Sequence, residues 1–329
     1  MHLPVVFMFS GQSSQYFGMG AQLYERHPRF RMWMDHCDEI VAPLIGCSIC
    51  EVLYGDNNDK AAPFDRLLHT NPALVAFEFS LARVLMEAGT TPSHLLGYSL
   101  GEVSAAVVGG ALSLEQGLQF VVDYARLLES ESPPARMMAV IDAPMMETRY
   151  AEQFHGCWIT ARNFDRHVVV TGPVASVQCL QEALLRDGVV HQLLAVKYGF
   201  HTPMLEPLEA RVAGLGRKLN FSPLAIPFVS CEKGAVYDAA TPVERWPQHL
   251  WSMSRQPVAF DATVKRLLDK GDFHFVDVGP SGTLSTFVKY LLPSTSASTF
   301  GDVINAFGRD QQTYADAVRR MGSTDGYCR

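Results

Sequence analysis

Apolar residues follow two patterns along the chain, short uninterrupted runs and longer runs at helical spacing. The run Val5–Phe9 has the length and the β propensity of a buried strand. Between residues 72 and 87 apolar residues recur every three or four positions, which predicts a helix. A second short strand is predicted at residues 95–98, and a second helix opens directly after it at Ser99. Strands that alternate with helices in this way predict an α/β fold with a mostly parallel sheet.

Residues 137–196 follow a different order of elements. The pattern predicts, in turn, a strand at 137–141, a helix at 145–154, strands at 157–161 and 167–171, a helix at 174–187 and a strand at 189–196. This βαββαβ order is that of a ferredoxin-like unit. We therefore predict a small ferredoxin-like subdomain at residues 135–197, inserted into a large α/β-hydrolase-like domain formed by residues 1–134 and 198–329.

Composition excludes several classes of protein. Of the 329 residues 48% are hydrophobic, which is too many for a disordered chain, and a net charge of −7 is opposite to that of a general nucleic-acid binder. No apolar stretch approaches the about 18 residues of a membrane span. The seven cysteines include one C-x-x-C, at Cys47 and Cys50, without the second pair that a zinc site needs. They are interpreted as reduced thiols of a cytoplasmic protein.

A candidate nucleophile lies between the second strand and its helix. Gly97-Tyr98-Ser99-Leu100-Gly101 fits G-x-S-x-G, in which glycines allow a tight turn and the start of the helix offers N–H groups to an oxyanion. A serine hydroxyl needs a base. Among the 11 histidines, His201 lies in an aromatic, glycine-containing loop between a predicted strand and a predicted helix. Such a loop can project a ring into a cleft, which makes His201 a candidate for that base.

Seven short motifs occur in one order and carry a family resemblance. They are Phe9-Ser10-Gly11-Gln12, Asn71-Pro72-Ala73, Gly97-Tyr98-Ser99-Leu100-Gly101-Glu102, Asn163, Phe200-His201-Thr202-Pro203-Met204, Pro257-Val258 and Asp277-Val278-Gly279-Pro280. Over roughly residues 5–289 the chain resembles malonyl-CoA:acyl-carrier-protein transacylases and polyketide synthase acyltransferases. It is similar in particular to the free-standing acyl hydrolases of pathways whose acyltransferases act in trans. The resemblance implies a ping-pong reaction in which an acyl thioester acylates Ser99.

The resemblance also implies a role for each matched position. Ser99 is the expected nucleophile and His201 its general base, with the backbone N–H groups of Gln12 and Leu100 as the oxyanion hole. The backbone carbonyl of Met253, where the family usually has Asn or Gln, is expected to orient His201. The side chains expected to line the acyl pocket are Tyr124, Tyr98, Phe200 and Asn163.

One departure from the family concerns the charge of the substrate. Malonyl enzymes of this family carry an arginine on the helix after the serine turn, which corresponds to residues 97–101 here and is called the serine elbow. This arginine clamps the substrate carboxylate through two hydrogen bonds. An ungapped alignment places Tyr124 there, whereas Arg126 lies about 200° further around the helix unless the register shifts by two residues. A buried carboxylate without a partner costs roughly 3–5 kcal/mol. The sequence therefore predicts uncharged acyl groups, such as acetyl or longer chains.

The acyl group then has two possible acceptors. It passes either to the phosphopantetheine thiol of an acyl carrier protein or to water, and the missing arginine and the absence of an attached ketosynthase or carrier segment favour water. The expected partners are a carrier protein and an acyl thioester carried on that protein or on coenzyme A, with no bound cofactor, metal, nucleic acid or membrane. Arg162, Arg166 and Lys197 are candidates for a carrier-docking patch, or else solvated surface charges.

Two other classes of protein compete with this interpretation. A true α/β-hydrolase would place an acid and then a histidine after Ser99. Asp277 follows His201, so this arrangement would need an earlier acid together with His274. The βαββαβ insertion argues against it, as does the loop at Gly11-Gln12 (the Gly-Gln loop) that precedes the serine. A carrier-binding scaffold without catalysis is the second alternative, and the presence of both Ser99 and His201 argues against it.

Overall fold

Two β-sheets organise the fold in the computed structural model, which describes residues 3–55, 62–141, 145–232 and 234–322. The strands are β1 Val5–Phe9, β2 His94–Gly97, β3 Ala135–Ile141, β4 Trp158–Phe164, β5 His167–Pro173, β6 His191–Leu193, β7 Phe228–Ser230, β8 Val236–Tyr237, β9 Val258–Ala259, β10 His274–Asp277 and β11 Thr299–Asp302.

The larger sheet has six strands in the order β11-β10-β1-β2-β7-β8. All neighbours are parallel except β8, which runs antiparallel to β7. Every residue of the central strand β1 is buried, because a parallel sheet in this class of fold is covered by helices on both faces. The carboxyl ends of β1 and β2 therefore bring the Gly-Gln loop and the serine elbow side by side.

Helices cover the two sheets and connect their strands. They are α1 Ala21–Arg26, α2 Pro28–Ile45, α3 Ile49–Tyr54, α4 Leu67–Glu87, α5 Gly101–Val108, α6 Leu114–Glu131, α7 Met146–Arg149, α8 Val174–Arg186, α9 Glu209–Gly216, α10 Trp246–Arg255, α11 Phe260–Leu268, α12 Thr283–Leu291 and α13 Asp310–Gly322, with 3₁₀ turns at Pro203–Leu208 and Val243–Arg245. Helix α4 is buried along almost its whole length. Its buried polar side chains therefore need partners, and Asn71 and Glu78 find them in the loop after β1.

The smaller sheet has the order β6-β3-β5-β4-β9. The elements β3, α7, β4, β5, α8 and β6 follow one another in the βαββαβ order that the sequence predicts. The two helices pack on an apolar core that is separate from that of the larger sheet. The predicted fold class is thereby confirmed. The prediction confined this unit to residues 135–197, but β9 adds a fifth strand from outside that range, since Ala161 and Arg162 pair in parallel with Val258 and Ala259.

Two predicted elements of the small unit are shorter than expected. The helix predicted at 145–154 is helical only over Met146–Arg149, and the chain then turns until Gly156, whose φ of 78° a side chain would strain. The strand predicted at 189–196 pairs with β3 only over His191–Leu193. It ends where the Val196 N–H donates to the Leu194 carbonyl, in a turn that leads toward residue 198.

Candidate active site

Ser99 lies at a strained turn between β2 and α5. Its φ is 53°, a left-handed conformation that is uncommon for a residue with a side chain. The turn needs the flanking glycines, because a Cβ at Gly97 would overlap Glu102 and a Cβ at Gly101 would overlap the carbonyl of Phe9. Strained backbone of this kind is often found at active sites, and here it lifts the hydroxyl above the ends of the strands.

The side chains of Ser99 and His201 form a hydrogen-bonded pair. Ser99 Oγ lies 2.8 Å from His201 Nε2, although 102 residues separate the two in the chain. His201 Nδ1 lies 2.7 Å from the carbonyl oxygen of Gln256, and the His201 backbone N–H donates to the carbonyl of Ser254 at 2.8 Å. Because a carbonyl only accepts, Nδ1 carries the proton and Nε2 is left free to accept from the serine hydroxyl.

The backbone carbonyl that orients His201 belongs to Gln256, which corrects the predicted role of Met253. Met253 lies inside α10, where a carbonyl points along the helix axis, whereas Gln256 is the first extended residue beyond the helix, with ψ at 146°. Its carbonyl is therefore free to turn toward the imidazole. Gln256 also belongs to the Asn/Gln type that the resemblance calls for. The acceptor therefore lies three positions after the predicted one.

Burial fixes the protonation state of the base. Exclusion from water lowers the pKa of His201 to about 4, and the nearby Arg255 charge acts in the same direction, whereas the bond to the Gln256 carbonyl opposes both. The imidazole is therefore neutral at pH 7. A neutral imidazole with a free Nε2 is the form that can take a proton from Ser99.

Gln12 and Leu100, whose backbone N–H groups are the expected oxyanion hole, line the same small cavity as Ser99. Leu100 precedes the first residue of α5, and Gln12 follows Gly11, where a Cβ would lie 2.8 Å from the Tyr98 carbonyl and 3.1 Å from Ser99 Cβ. Within the described ranges no hydrogen bond occupies the N–H of Gln12 or of Leu100. The Gln12 side chain donates to Thr70 Oγ1 at 3.0 Å and to Asn71 Oδ1, so the loop is held against α4. The two N–H groups can thus serve a developing oxyanion.

A small cavity of about 50 Å³ opens beside the Ser99–His201 pair. Its lining includes Tyr98, Tyr124, Phe200 and Met253, so Met253 belongs to the site as a wall rather than as a hydrogen-bond acceptor. Tyr124 is only 3% exposed, and burial raises the pKa of its phenol well above the usual range. The phenol is therefore neutral at pH 7. Within the described ranges, no residue that lines the cavity has a charged side chain.

The Tyr124 ring is fixed between two other rings. It stacks on Phe120 at 5.8 Å between centroids and is tilted against Phe200 at 6.5 Å. Its buried hydroxyl forms no well-aligned hydrogen bond with the described residues, and its polar neighbour Ser254 donates instead to the carbonyl of Leu250. Arg126 faces the other side of α6, where it pairs with Asp123 at 3.2 Å and donates to the carbonyl of Leu44.

Asn163 lies beside the acyl cavity rather than in its wall, which corrects its assignment. It lines a neighbouring cavity of about 260 Å³ with Gln12, Tyr98 and His167. The Tyr98 hydroxyl donates to Asn163 Oδ1 at 3.0 Å, and Asn163 Nδ2 lies 3.0 Å from His167 Nδ1. This chain of polar groups connects the elbow to β5. No sequence pattern points to His167, because only the small sheet brings it toward the elbow.

The basic docking candidates are surface residues. Arg162 lies 3.6 Å from Glu147, and Lys197 lies 2.7 Å from Asp65. Arg166 is exposed at the turn between β4 and β5. An exposed ion pair contributes little to stability and is easily exchanged for another.

The residues that a true α/β-hydrolase would use lie elsewhere. His274 Nδ1 lies 2.7 Å from Thr299 Oγ1, between β10 and β11. Asp277 accepts hydrogen bonds from the N–H groups of Gly279 and Ser285. Ser99 is paired with His201 instead, so the site does not follow the order of that class.

Three further features of the described ranges bear on chemistry. No group of three or more His, Cys, Asp or Glu residues there is arranged to hold a metal ion. The six cysteines in these ranges are free thiols. In the same ranges, no helix combines the length and the apolar character needed to cross a membrane.

A parallel α/β core with a serine elbow, a buried histidine and an inserted ferredoxin-like sheet defines the class of acyltransferase folds. The chain belongs to the acyl transferase domain family, whose model matches residues 6–325. It is 34% identical over 310 residues to the polyketide biosynthesis acyltransferase homolog PksD of Bacillus subtilis, a match that covers 94% of each chain. It is 31% identical to the homolog BaeD of Bacillus velezensis, again over 94% of each.

Solved structures agree with this assignment. A loading acyltransferase from the avermectin modular polyketide synthase superposes with a TM-score of 0.87 at 25% identity, over 97% of this chain and 100% of that one. A malonyl transacylase (MCAT) from Streptococcus pneumoniae superposes with a TM-score of 0.79 at 26% identity, over 96% and 99% of the two chains. The family resemblance predicted from the seven motifs is confirmed.

Proposed function

We propose that the protein hydrolyses acyl thioesters on acyl carrier proteins of a polyketide pathway, and that it prefers short, uncharged acyl groups. The observation that carries the proposal is Tyr124, a neutral, buried side chain at the acyl end of the cavity beside Ser99 and His201. A malonyl carboxylate in this cavity would lack a counter-charge, because Arg126 is engaged on the opposite face of α6.

The expected acylation step uses only groups that meet at the elbow. Ser99 Oγ attacks the thioester carbonyl while His201 Nε2 takes the hydroxyl proton. The N–H groups of Gln12 and Leu100 stabilise the oxyanion. The C–S bond breaks, the thiolate takes the proton from His201, and the acyl group remains as an ester on Ser99.

Deacylation repeats these steps with water as the nucleophile. His201 Nε2 takes a proton from water as it attacks the ester carbonyl, and the Ser99–acyl bond breaks. The proton returns to Ser99, which releases the free acid. A polyketide pathway would use this reaction to clear acyl units that stall on its carrier proteins.

The size of the cavity supports short acyl groups. The open space beside Ser99 is small, about 50 Å³. Acetyl and propionyl groups are of this size. Tyr124, Phe200 and Met253 in the cavity wall leave a longer chain without space unless a side chain moves.

Transfer to a second carrier thiol is the alternative outcome. The names of the relatives in two Bacillus species favour it, because both are called acyltransferase homologs. Hydrolysis and transfer share the acyl-enzyme, so they differ only in whether water or a thiol reaches Ser99.

One experiment separates the outcomes. The purified protein is incubated with acetyl-loaded and with malonyl-loaded carrier protein, in the presence of an empty carrier of different mass, and all species are followed by intact mass spectrometry. Loss of acetyl without its appearance on the empty carrier supports hydrolysis, whereas its appearance there supports transfer. Rapid loss of malonyl would contradict the proposal that the cavity at Tyr124 disfavours a carboxylate. Ser99→Ala is the control and is expected to be inactive.

A further inference from the structure

A second buried polar network lies behind the elbow, on the side away from the substrate cavity. Its centre is Glu102, three residues after Ser99 on α5 and 3% exposed. The carboxylate accepts from the Ser230 hydroxyl at 2.9 Å and from the Cys231 N–H at 3.0 Å, so the end of β7 is bound to α5.

The other side of this carboxylate contacts α10. His249 Nε2 lies 2.7 Å from Glu102 Oε2, off the axis of a well-aligned hydrogen bond. The Tyr237 hydroxyl lies 2.9 Å from His249 Nδ1 and can donate to it, which directs the Nε2 proton toward Glu102. Both partners are buried, and a buried carboxylate keeps its place only when such contacts satisfy it.

The two elements that this network joins carry the two halves of the active site. The Glu102 N–H donates to the Ser99 carbonyl at 2.9 Å, and Gly97 leaves no room between Glu102 and the elbow. One and a half turns after His249, the end of α10 presents the Ser254 carbonyl to the His201 N–H, and Gln256 holds His201 Nδ1 just beyond. A shift of α10 against α5 would therefore change the distance from Ser99 Oγ to His201 Nε2.

We propose that Glu102 and His249 are positioning residues that set the distance between Ser99 and His201 by fastening α10 to the elbow helix. Neither side chain lines the cavity beside the serine, so both act through the residues that they hold. The inference rests on the proposed function, because it takes Ser99 and His201 as nucleophile and base.

The test measures the reactivity of Ser99 directly, with a fluorophosphonate that labels activated serines. Glu102→Gln and His249→Gln are made singly and together, and Tyr237→Phe removes only the outer hydroxyl. Each rate constant is referred to the folded fraction, measured by circular dichroism well below the melting temperature. Each single change is expected to slow labelling roughly tenfold to a hundredfold, because misplacement by about 1 Å has effects of this size. Tyr237→Phe is expected to slow it less.

The double variant tests whether the pair acts as a unit. Two amides can pair where the carboxylate and the imidazole stood, so Glu102→Gln/His249→Gln is expected to lose no more than the worse single variant. With carrier substrates, the loss is expected in kcat rather than in KM. Asp38→Asn is the matched control: Asp38 accepts from Ser48 and Ile49 at the start of α3, and its loss is expected to lower the melting temperature without slowing the labelling.

Folded Glu102→Gln and His249→Gln proteins that label at the wild-type rate would overturn the proposal. If both fail to fold, Tyr237→Phe decides, since an unchanged rate in that variant contradicts the proposal. The proposed function fails separately. A wild-type protein that is not labelled has no activated serine, whereas one that is labelled but releases no acid from acetyl-loaded carrier leaves the positioning role intact.

Discussion

The ring of Tyr124 lies 6.5 Å from that of Phe200, and Phe200 directly precedes the base His201. The residue that limits the acyl cavity thus touches the loop that carries the base. A substitution at Tyr124 is therefore expected to change both the space for the acyl group and the position of the loop that carries His201. Experiments on selectivity therefore need a variant that keeps the ring.

Tyr124→Arg is expected to raise acylation by malonyl thioester relative to acetyl by roughly 100-fold or more, because the guanidinium would pair a carboxylate whose isolation costs about 3–5 kcal/mol. Single-turnover acylation of Ser99, followed by mass spectrometry, measures this ratio. Tyr124→Phe is the matched control and keeps the ring and the preference for acetyl. Arg126→Gln is expected to leave the ratio unchanged. A loss of acetyl preference in that variant would contradict the assignment of Tyr124, rather than Arg126, to the acyl cavity.

The activity is expected to fall only at unusually low pH. With the pKa of His201 lowered to about 4, kcat/KM should stay level from pH 7 to about pH 5 and fall below that as the imidazole takes up a proton. Protonation removes the lone pair that accepts from Ser99, so activity falls as the pH falls. Steady-state rates with an acyl thioester, checked for folding at each pH, measure this. A midpoint near the ordinary histidine value of about 6.5 would contradict the burial argument.

Gly11→Ala is expected to slow acylation of Ser99 by roughly 100-fold. The added Cβ would lie 2.8 Å from the Tyr98 carbonyl, so the loop must move and carry the Gln12 N–H away from the oxyanion. Loss of one such donor costs about 10²–10³ in kcat. Gly214→Ala on α9 is the matched control, since the nearest atom to its Cβ is the end of the Arg217 side chain at 3.8 Å. Equal rates in the two variants would exclude this role for the loop.

Glu78→Gln is expected to flatten the dependence of stability on pH. Burial raises the pKa of Glu78 to about 8, against the nearby Ser104 and Ser10 hydroxyls, which favour the charged form. Between the unfolded value of about 4.5 and about 8 the native protein therefore holds the proton more tightly than the unfolded chain. The free energy of unfolding must fall as pH rises through this window.

Glutamine at position 78 still accepts from the Ser10 N–H, which lies 2.6 Å from the glutamate oxygen, but it does not titrate. Urea unfolding of both proteins at pH 5, 6, 7 and 8 measures the two slopes, with the wild type as the reference. Parallel slopes would show that Glu78 does not carry this dependence.

Sequence predicted the parts of the site that depend on local pattern. The elbow needs a strand, two glycines and a helix within a few positions, and the structure has them around Ser99. The loop context makes His201 a candidate among 11 histidines, but only the resemblance assigns it as the base, because Ser99 lies 102 positions away in the chain. The Asn/Gln type that the resemblance calls for is the one signal for Gln256, since every residue has a carbonyl and only the end of α10 decides which one turns.

Long-range contacts account for the other differences. Whether Asn163 faces the acyl cavity or its neighbour depends on how the small sheet sits over Tyr98, which no pattern along the chain records. Glu102 was recognised as part of a motif, yet its partner His249 lies nearly 150 positions later and sits among apolar residues of α10. Strand β9 has only two residues, too few for any periodicity to mark it.

That two-residue strand limits how the cleft can open. The ferredoxin-like sheet is joined to the core by its two chain crossings and by β9, which begins two positions after the carbonyl that steadies His201. A hinge motion that lifted the small sheet would either break this third tether or pull Gln256 along with it. Under the proposed function, a movement of the small sheet that admits a carrier-bound substrate is therefore expected to move the Gln256 carbonyl and, with it, His201.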